Sequence, residues 1–215
     1  ILQGSPMGDF IAVVDGLDER KAHPFFLAMN GLNYDAATLG NHEFNFGLPF
    51  LRRALESADF PFVCANVMIS GGNSLLPPFV VLQRKVIDEN GDRHDLRIGV
   101  IGFVPPQIMI WDKVHLAGRI EARGILDSAR EHLPALRASC DVLVALCHSG
   151  IGTGSVEPSA ENVADQLAGL GGIDAIFTGH SHRVFPGPDF AGRPGVDAER
   201  GTLVGVPAVM PGFWG

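Results

Sequence analysis

The sequence predicts an α/β protein in which short strands alternate with helices around a layered sheet. Apolar residues make up 46% of the 215 residues, enough to build a core. Continuous apolar runs at 141–147 and 173–178 are typical of strands covered on both faces. The 27 glycines and 15 prolines indicate many tight turns between short elements.

The first half of the chain carries local signals for three helices and two strands. Ser5 and Pro6 form a helix N-cap and first turn, so a helix is expected through residue 14. Leu51 and Leu55 lie four apart, as on one face of a helix. The other expected elements are a helix over 23–30 closed by Gly31, a helix over 48–58, and strands over 36–39 and 62–67.

The second half opens with a hairpin signal. Asn90-Gly91 separates apolar runs at 80–87 and 96–104, which predicts two antiparallel strands joined by a tight turn. An amphipathic stretch over 120–138 predicts a helix that Pro134 should kink. The remaining predicted strands span 141–147, 173–178 and 202–210.

Charge and cysteine content restrict the class of partner. The net charge is −8, from 16 basic and 24 acidic residues. This negative charge disfavours binding to long nucleic acids, which are polyanions. Small phosphorylated substrates stay possible, since a metal ion can supply positive charge. No apolar stretch approaches the ~20 residues of a membrane span. The three cysteines are expected to be free, and the start at Ile1, without Met or a signal peptide, predicts a cut N-terminus.

Three of the predicted apolar strands run into short loops rich in glycine and histidine. Ligands of open α/β sheets bind beyond the carboxyl ends of strands, so these loops are expected to converge. Two imidazoles two residues apart point the same way on an extended segment. Imidazole together with an amide oxygen suits Zn, Mn or Fe. The loops are Gly40-Asn41-His42-Glu43, Cys147-His148-Ser149-Gly150 and Gly179-His180-Ser181-His182.

This ordered set of motifs resembles the calcineurin-like metallophosphoesterases. The stretch GNHEFNFGLPFL, from Gly40 to Leu51, narrows the resemblance to the 5′-nucleotidase branch. The segments QGSP (3–6), IGFVPPQIMIWDK (101–113) and GVPAVMPGFWG (205–215) narrow it to the periplasmic 2′,3′-cyclic-nucleotide 2′-phosphodiesterase/3′-nucleotidase subgroup. The resemblance covers essentially the whole chain and implies a layered α/β/β/α sandwich.

The resemblance also implies a metal-ligand set. Asn41, His148 and His180 would bind one ion, and His182 would bind the other. The intact enzyme would hold two divalent cations, with Zn, Mn, Co and Fe not distinguished. No other cofactor is expected.

The resemblance also implies roles for residues in the loop after Gly40. His42 would contact the phosphate and assist the departing oxygen instead of binding metal. The wider branch has an aspartate that orients this histidine, where the present chain has Asn45. Asn45 therefore either orients His42 or caps the helix that follows. Glu43 is expected to be structural or to support a ligand.

The family pattern places further ligands upstream of Ile1, an Asp-x-His pair and a Gly-Asp motif. Residues 1–215 are therefore expected to be a partial metallophosphoesterase domain that lacks its first strand. The family's C-terminal nucleotide-binding domain would lie beyond Gly215. We expect this piece alone to hold one metal ion or none, and to have negligible turnover.

The implied activity is hydrolysis of 2′,3′-cyclic nucleotides to 3′-nucleotides, and of these to nucleoside and phosphate, in the periplasm. Its partners would be small nucleotides. The alternatives are a 5′-nucleotidase or sulfur-ester hydrolase on the same scaffold, or a catalytically inactive metal-binding fragment. Structural roles are expected for the four histidines that end no apolar strand: His23, His94, His115 and His132. Trp111, Phe213 and Trp214 are expected to be core aromatics or walls of the pocket, and packing is the favoured role.

Overall fold

A computed structural model describes residues 1–17, 21–152 and 159–213 of the chain. Trp214 therefore lies outside the described residues. The strands are β1 (Ala37–Thr38), β2 (Phe62–Val63), β3 (Val67–Ile69), β4 (Phe79–Ile87), β5 (Arg93–Phe103), β6 (Ile120–Ala122), β7 (Val142–Cys147), β8 (Ala175–Thr178), β9 (Val184–Phe185), β10 (Val196–Asp197), β11 (Thr202–Leu203) and β12 (Val206–Pro211).

Short helices connect these strands. A π-helical turn at Phe10–Asp15 extends the first helix, and 3₁₀ turns occur at Asn41–Glu43 and Pro188–Phe190. The Ser5 hydroxyl accepts a hydrogen bond from the Gly8 amide, as an N-cap should. The α-helices are α1 (Pro6–Asp9), α2 (Pro24–Gly31), α3 (Gly47–Leu55), α4 (Ile108–Trp111), α5 (Lys113–Leu116), α6 (Ile125–Ser139) and α7 (Ala164–Ala168).

One mixed sheet organises the molecule. Its order is β10-β11-β12-β8-β7-β5-β4, with β9 paired to β12. The four strands β5, β7, β8 and β12 are mutually parallel neighbours. Phe103 pairs with Cys147, and Cys147 pairs with Thr178. The carboxyl ends of three adjacent strands therefore lie level at one edge of the sheet.

The layers on each side of this sheet agree with the predicted sandwich. Helices α6 and α7 pack on one face, where they share an apolar cluster with residues such as Ile101 and Leu143. On the other face, the small β1–β2 sheet lies directly on β5, and α2 and α3 enclose a second apolar cluster. The contact is close at Gly102, where a Cβ would lie 2.3 Å from Thr38 Oγ1 and from Val63 O. Only glycine fits between the two sheets there.

The predicted strand over 62–67 is wrong as a single element. It divides into β2 and β3, which belong to different two-stranded sheets. The buried Asn66 lies at the division, and its amide donates to Val104 O and Arg123 O while its oxygen accepts from Val104 N. These hydrogen bonds replace the strand ladder that a continuous element would have made.

Two other predicted boundaries are also wrong. The stretch over 120–138 begins with β6, which pairs with β3, so the helix starts only at Ile125. The strand over 202–210 is a hairpin of β11 and β12, because Val204 and Gly205 both have positive φ. At the end of α2, Gly31 is the last helical residue and the left-handed residue is Asn33. The Asn90-Gly91 hairpin is confirmed.

The prediction that 173–178 is covered on both faces is wrong. Phe177 is 53% exposed. Together with Tyr34, Val100 and Leu146, it lines an apolar groove of about 460 Å³ on the face next to the β1–β2 sheet. This sheet face is therefore only partly covered among the described residues.

The three cysteines are free, as the sequence predicts, and all three are buried. Burial raises the pKa of the Cys64 and Cys147 thiols to about 12. Because the thiolate is the reactive form, we expect Ellman's reagent to label none of the three in the native protein at about pH 8. All three should react after unfolding in guanidinium. Rapid labelling of Cys147 before unfolding would contradict this burial.

Candidate active site

The predicted site loops meet at the carboxyl edge of the central sheet. His148 directly follows β7, Gly179 directly follows β8, and the His148 amide donates to Phe103 O at 2.9 Å. One cavity of about 560 Å³ lies at this edge. Four of the histidines singled out in the sequence line it: His42, His148, His180 and His182.

Asn41 and His148 form the innermost pair. His148 Nε2 lies 3.0 Å from Asn41 Oδ1, although the two residues are 107 positions apart. Gly40 makes this approach possible, because a Cβ there would lie 2.8 Å from His148 Cε1 and 2.9 Å from Nε2. Burial lowers the pKa of His148 to about 4, against the opposing charge of Glu43. The ring is therefore neutral near pH 7, which is the form that binds metals.

Glu43 has a structural position, in agreement with its predicted role. The side chain is buried, and Oε2 accepts from the Gly40 amide at 2.7 Å. Oε1 accepts from the Leu2 amide at 3.0 Å and from the Ile1 nitrogen. Glu43 thus holds the loop after β1 against the first residues of the chain.

His42 is held by Asn45. His42 Nδ1 lies 2.8 Å from Asn45 Oδ1, and Asn45 Nδ2 donates to Asp112 Oδ1 at 2.9 Å. Phe46 occupies the N-cap position of α3, and no side chain caps that helix end. Of the two roles left open for Asn45, the hydrogen bond to His42 is therefore the one present. Asp112, which lies 67 positions away, was not among the predicted site residues.

His180 and His182 are not on an extended segment, so that prediction is wrong. Both have positive φ, at 67° and 56°. Left-handed backbone costs a non-glycine residue about 1–2 kcal/mol, and such residues cluster at functional sites. This twist, and not the alternation of a strand, brings both imidazoles to the same cavity.

Three further residues contact these two rings. Glu161 Oε1 lies 2.6 Å from His180 Nε2. The Trp111 ring stacks on His180 at 5.5 Å, and the Phe213 ring meets the edge of His182 at 4.7 Å. Trp111 is 44% exposed and Phe213 is 60% exposed, so they lie beside site histidines and not in the core as favoured. Glu161 carries no motif and could be found only from the fold.

The donor types fit divalent cations. Asn41 Oδ1 and His148 Nε2, which lie 3.0 Å apart, are an amide oxygen and an imidazole nitrogen, and both would suit Zn, Mn or Fe as ligands. Within 1–17, 21–152 and 159–213, no three His, Cys, Asp or Glu side chains form a group that could hold an ion. His180 Nε2 lies 2.6 Å from Glu161 Oε1. The side-chain types present are suitable metal ligands. Ligation of a metal by Asn41, His148, His180 and His182 stays a prediction.

The other histidines do not line this cavity. His23 is fully buried, and burial lowers its pKa. His94 pairs with Asp88 on the exposed hairpin. His132 contacts Phe79, and His115 lies against Gly47. Their surroundings agree with the structural roles expected for them.

Similarity to known proteins agrees with this geometry. A family model described as calcineurin-like phosphoesterase matches residues 7–184. The chain belongs to the calcineurin-like phosphoesterase family. This phosphoesterase chain is 46% identical, over 217 residues, to the 2′,3′-cyclic-nucleotide 2′-phosphodiesterase/3′-nucleotidase of Salmonella typhimurium, covering 100% of the chain and 33% of that protein.

Two further relatives extend the comparison. The trifunctional nucleotide phosphoesterase protein YfkN of Bacillus subtilis is 44% identical over 220 residues, with 100% of this phosphoesterase chain and 15% of that protein covered. The YfkN crystal structure matches with a TM-score of 0.94 over 99% of this chain and 65% of that chain. A 5′-nucleotidase precursor from Thermus thermophilus shares the fold alone, with a TM-score of 0.57, 23% identity, 88% of this chain and 35% of that chain.

These matches confirm the predicted fold class. The phosphoesterase chain spans one third or less of the length of the curated relatives named here. Among the described residues, no helix is both long and apolar enough to cross a membrane.

Proposed function

We propose that the protein carrying this chain hydrolyses 2′,3′-cyclic nucleotides to 3′-nucleotides, and 3′-nucleotides to nucleoside and phosphate. One observation carries the proposal: His42, His148, His180 and His182 line one cavity in a chain 43–46% identical to proteins named for that activity. The whole-chain match favours this activity over 5′-nucleotidase activity, since a Vibrio cholerae 5′-nucleotidase is only 26% identical.

In this proposal, residues 1–215 are a partial metallophosphoesterase domain, and two divalent cations bind the complete domain in the intact protein. Asn41, His148 and His180 are assigned to one cation and His182 to the other. Bound divalent cations polarise phosphoryl oxygens and lower the pKa of water. The carboxylate of Glu161 against His180 Nε2 is compatible with a metal ligand, because a ligating histidine commonly donates its other ring N–H to a carboxylate.

The chain's own residues orient the substrate and handle a proton. In the first reaction a water oxygen bonds to phosphorus and releases a proton to solvent, the P–O2′ bond breaks, and O2′ takes a proton. We assign that proton to Nε2 of the imidazolium form of His42, because Nδ1–H stays bonded to Asn45 Oδ1, and the neutral ring that remains regains a proton from solvent. In the second reaction the P–O3′ bond breaks in the same way, and phosphate and nucleoside leave. Proton transfer of this kind contributes about 10²–10⁴-fold to a rate.

The substrates in this proposal are small nucleotides. The net charge of −8 opposes a long polyanion, whereas metal ions can attract a single phosphate locally. A periplasmic location belongs to the same proposal and rests on the resemblance to the periplasmic subgroup. Cell fractionation with a marker enzyme for each compartment tests it.

The deciding experiment gives the intact protein Mn²⁺ or Zn²⁺ and four substrates: 2′,3′-cyclic AMP, 3′-AMP, 5′-AMP and a sulfur ester. We expect cyclic AMP to be converted to 3′-AMP and then to adenosine, with 5′-AMP and the sulfur ester much slower. Cyclic AMP left intact while 5′-AMP is hydrolysed would reject the proposal in favour of a 5′-nucleotidase.

A further inference from the structure

Asp112 is a buried carboxylate that the proposed reaction does not yet use. It is 5% exposed and lies between α4 and α5. An aspartate before a helix ordinarily caps it, but the Asp112 side chain makes no capping bond to α5. Its Oδ1 accepts from Asn45 Nδ2 at 2.9 Å, and its Oδ2 is buried with no hydrogen-bond partner among the described residues.

This arrangement is poor for stability. Burying a carboxylate is costly unless charged or multiple donors compensate it, and here one neutral amide is the side-chain donor to Asp112. If position 112 served only to hold α4 and α5 together, a side chain that caps α5 or an apolar side chain would give greater stability. The contact with Asn45 is thus the feature that needs an explanation.

The carboxylate determines which way the Asn45 amide faces. A side-chain amide has a donor end and an acceptor end of nearly equal size, whereas a carboxylate only accepts. The amide NH₂ must therefore face Asp112, which leaves Oδ1 for His42 Nδ1. An acceptor at Nδ1 requires a hydrogen on Nδ1, so the neutral ring keeps Nε2 unprotonated.

We infer that Asp112 is a positioning residue, which fixes the orientation of Asn45 and through it the tautomer of His42. The inference concerns the unliganded protein, and its effect on turnover rests on the proposed function. The chain from carboxylate to amide to imidazole presents Nε2 of His42 to the cavity it lines. The Asn45 amide then accepts the Nδ1 hydrogen of His42 and fixes the ring orientation, as a directly bonded carboxylate would. The negative charge of Asp112 stays out of contact with the ring.

Nitrogen-15 NMR of the histidine rings tests the tautomer without substrate. The spectrum is recorded on the intact protein at a pH where His42 is neutral, with the His42 signals assigned from their loss in His42→Ala. We expect the Nδ1–H tautomer in the wild-type protein, a mixture in Asp112→Asn, and the Nδ1–H form again in the swapped pair Asp112→Asn/Asn45→Asp. The swap restores the direction of both hydrogen bonds, because the amide introduced at position 112 then donates to the carboxylate introduced at position 45.

Kinetics and unfolding supply the second readout. We expect Asp112→Asn to lower kcat for 3′-AMP about tenfold with KM within about twofold, since one oriented hydrogen bond is lost. Its thermal midpoint should not fall, and the swapped pair should recover kcat. Asn45→Asp alone should be impaired, because it sets two carboxylates against each other.

Three results would overturn the inference. The Nε2–H tautomer of His42 in the wild-type protein would do so whatever the variants do. The second result is an Asp112→Asn variant whose His42 tautomer and kcat are both unchanged. The third is an Asp112→Asn variant whose thermal midpoint and kcat fall while the His42 tautomer is unchanged, because a purely structural residue would behave in that way. A wild-type protein that hydrolyses none of the nucleotides would reject the proposed function instead, and the NMR result would still decide the tautomer.

Discussion

Replacing His42 with alanine is expected to lower kcat on 3′-nucleotides by about 10²–10⁴-fold while leaving the metal content unchanged. His42 is assigned to proton transfer, and its Nδ1 bonds to Asn45 and not to a proposed ligand. The ring lines the cavity, so its removal opens Asn45 Oδ1 to the cavity and creates no void in the core. Steady-state kinetics and elemental analysis of the intact protein measure the two quantities.

His182→Ala is the matched comparison for this variant. Its imidazole lines the same cavity, but it is assigned to a cation, so its loss should reduce the metal content per chain. Added Mn²⁺ should restore part of its activity and none of that of His42→Ala. Equal loss of metal in both variants would contradict the division of roles.

Gly40→Ala is expected to weaken metal binding strongly and to lower the free energy of unfolding by about 1–3 kcal/mol. The added methyl would lie 2.8 Å from His148 Cε1 and 3.0 Å from Glu43 Oε2. Neither side chain can move away easily, because the His148 ring bonds to Asn41 and Glu43 is buried with backbone donors on both oxygens. Urea unfolding and metal titration of the intact protein measure the two effects.

Gly31→Ala is the control for this substitution. Gly31 is the last residue of α2, and a Cβ there would meet nothing within 4 Å. Alanine also suits a helix better than glycine, so this variant should be neutral or more stable by up to about 1 kcal/mol. If both glycine variants bind metal like the wild-type protein, the close approach of Gly40 to His148 does not control the site.

The sequence was sufficient to predict the meeting of the two site loops that follow β7 and β8, whereas the loop after Gly40 leaves a separate two-stranded sheet. Apolar runs ending at Cys147 and Thr178 are strands in the centre of the sheet, and parallel strands bring their carboxyl ends to one edge. His148 and His180 follow those strands closely, so their convergence depends on few other features. The tight turn at Asn90-Gly91 was predictable for a similar reason, because its signal is local.

Features that depend on contacts distant in sequence could not be predicted. Asp112 reaches Asn45 across 67 positions, and Glu161 reaches His180 through a loop that bears no motif. Asn66 divides an apolar run because its amide donates hydrogen bonds to Val104 O and Arg123 O. The sequence near Asn66 does not indicate those distant partners. The left-handed backbone at His180 escapes prediction because histidine seldom adopts it.

The level row of Phe103, Cys147 and Thr178 has a consequence for engineering. Deleting one residue inside β7 would turn His148 through the pleat to the opposite side of the sheet, because side chains alternate along a strand. Exchanging whole loops with those of a related hydrolase would leave that row untouched. Chimaeras joined within the loops between strands should thus keep the site histidines together. Insertions or deletions that shift the residue register within a strand should separate them.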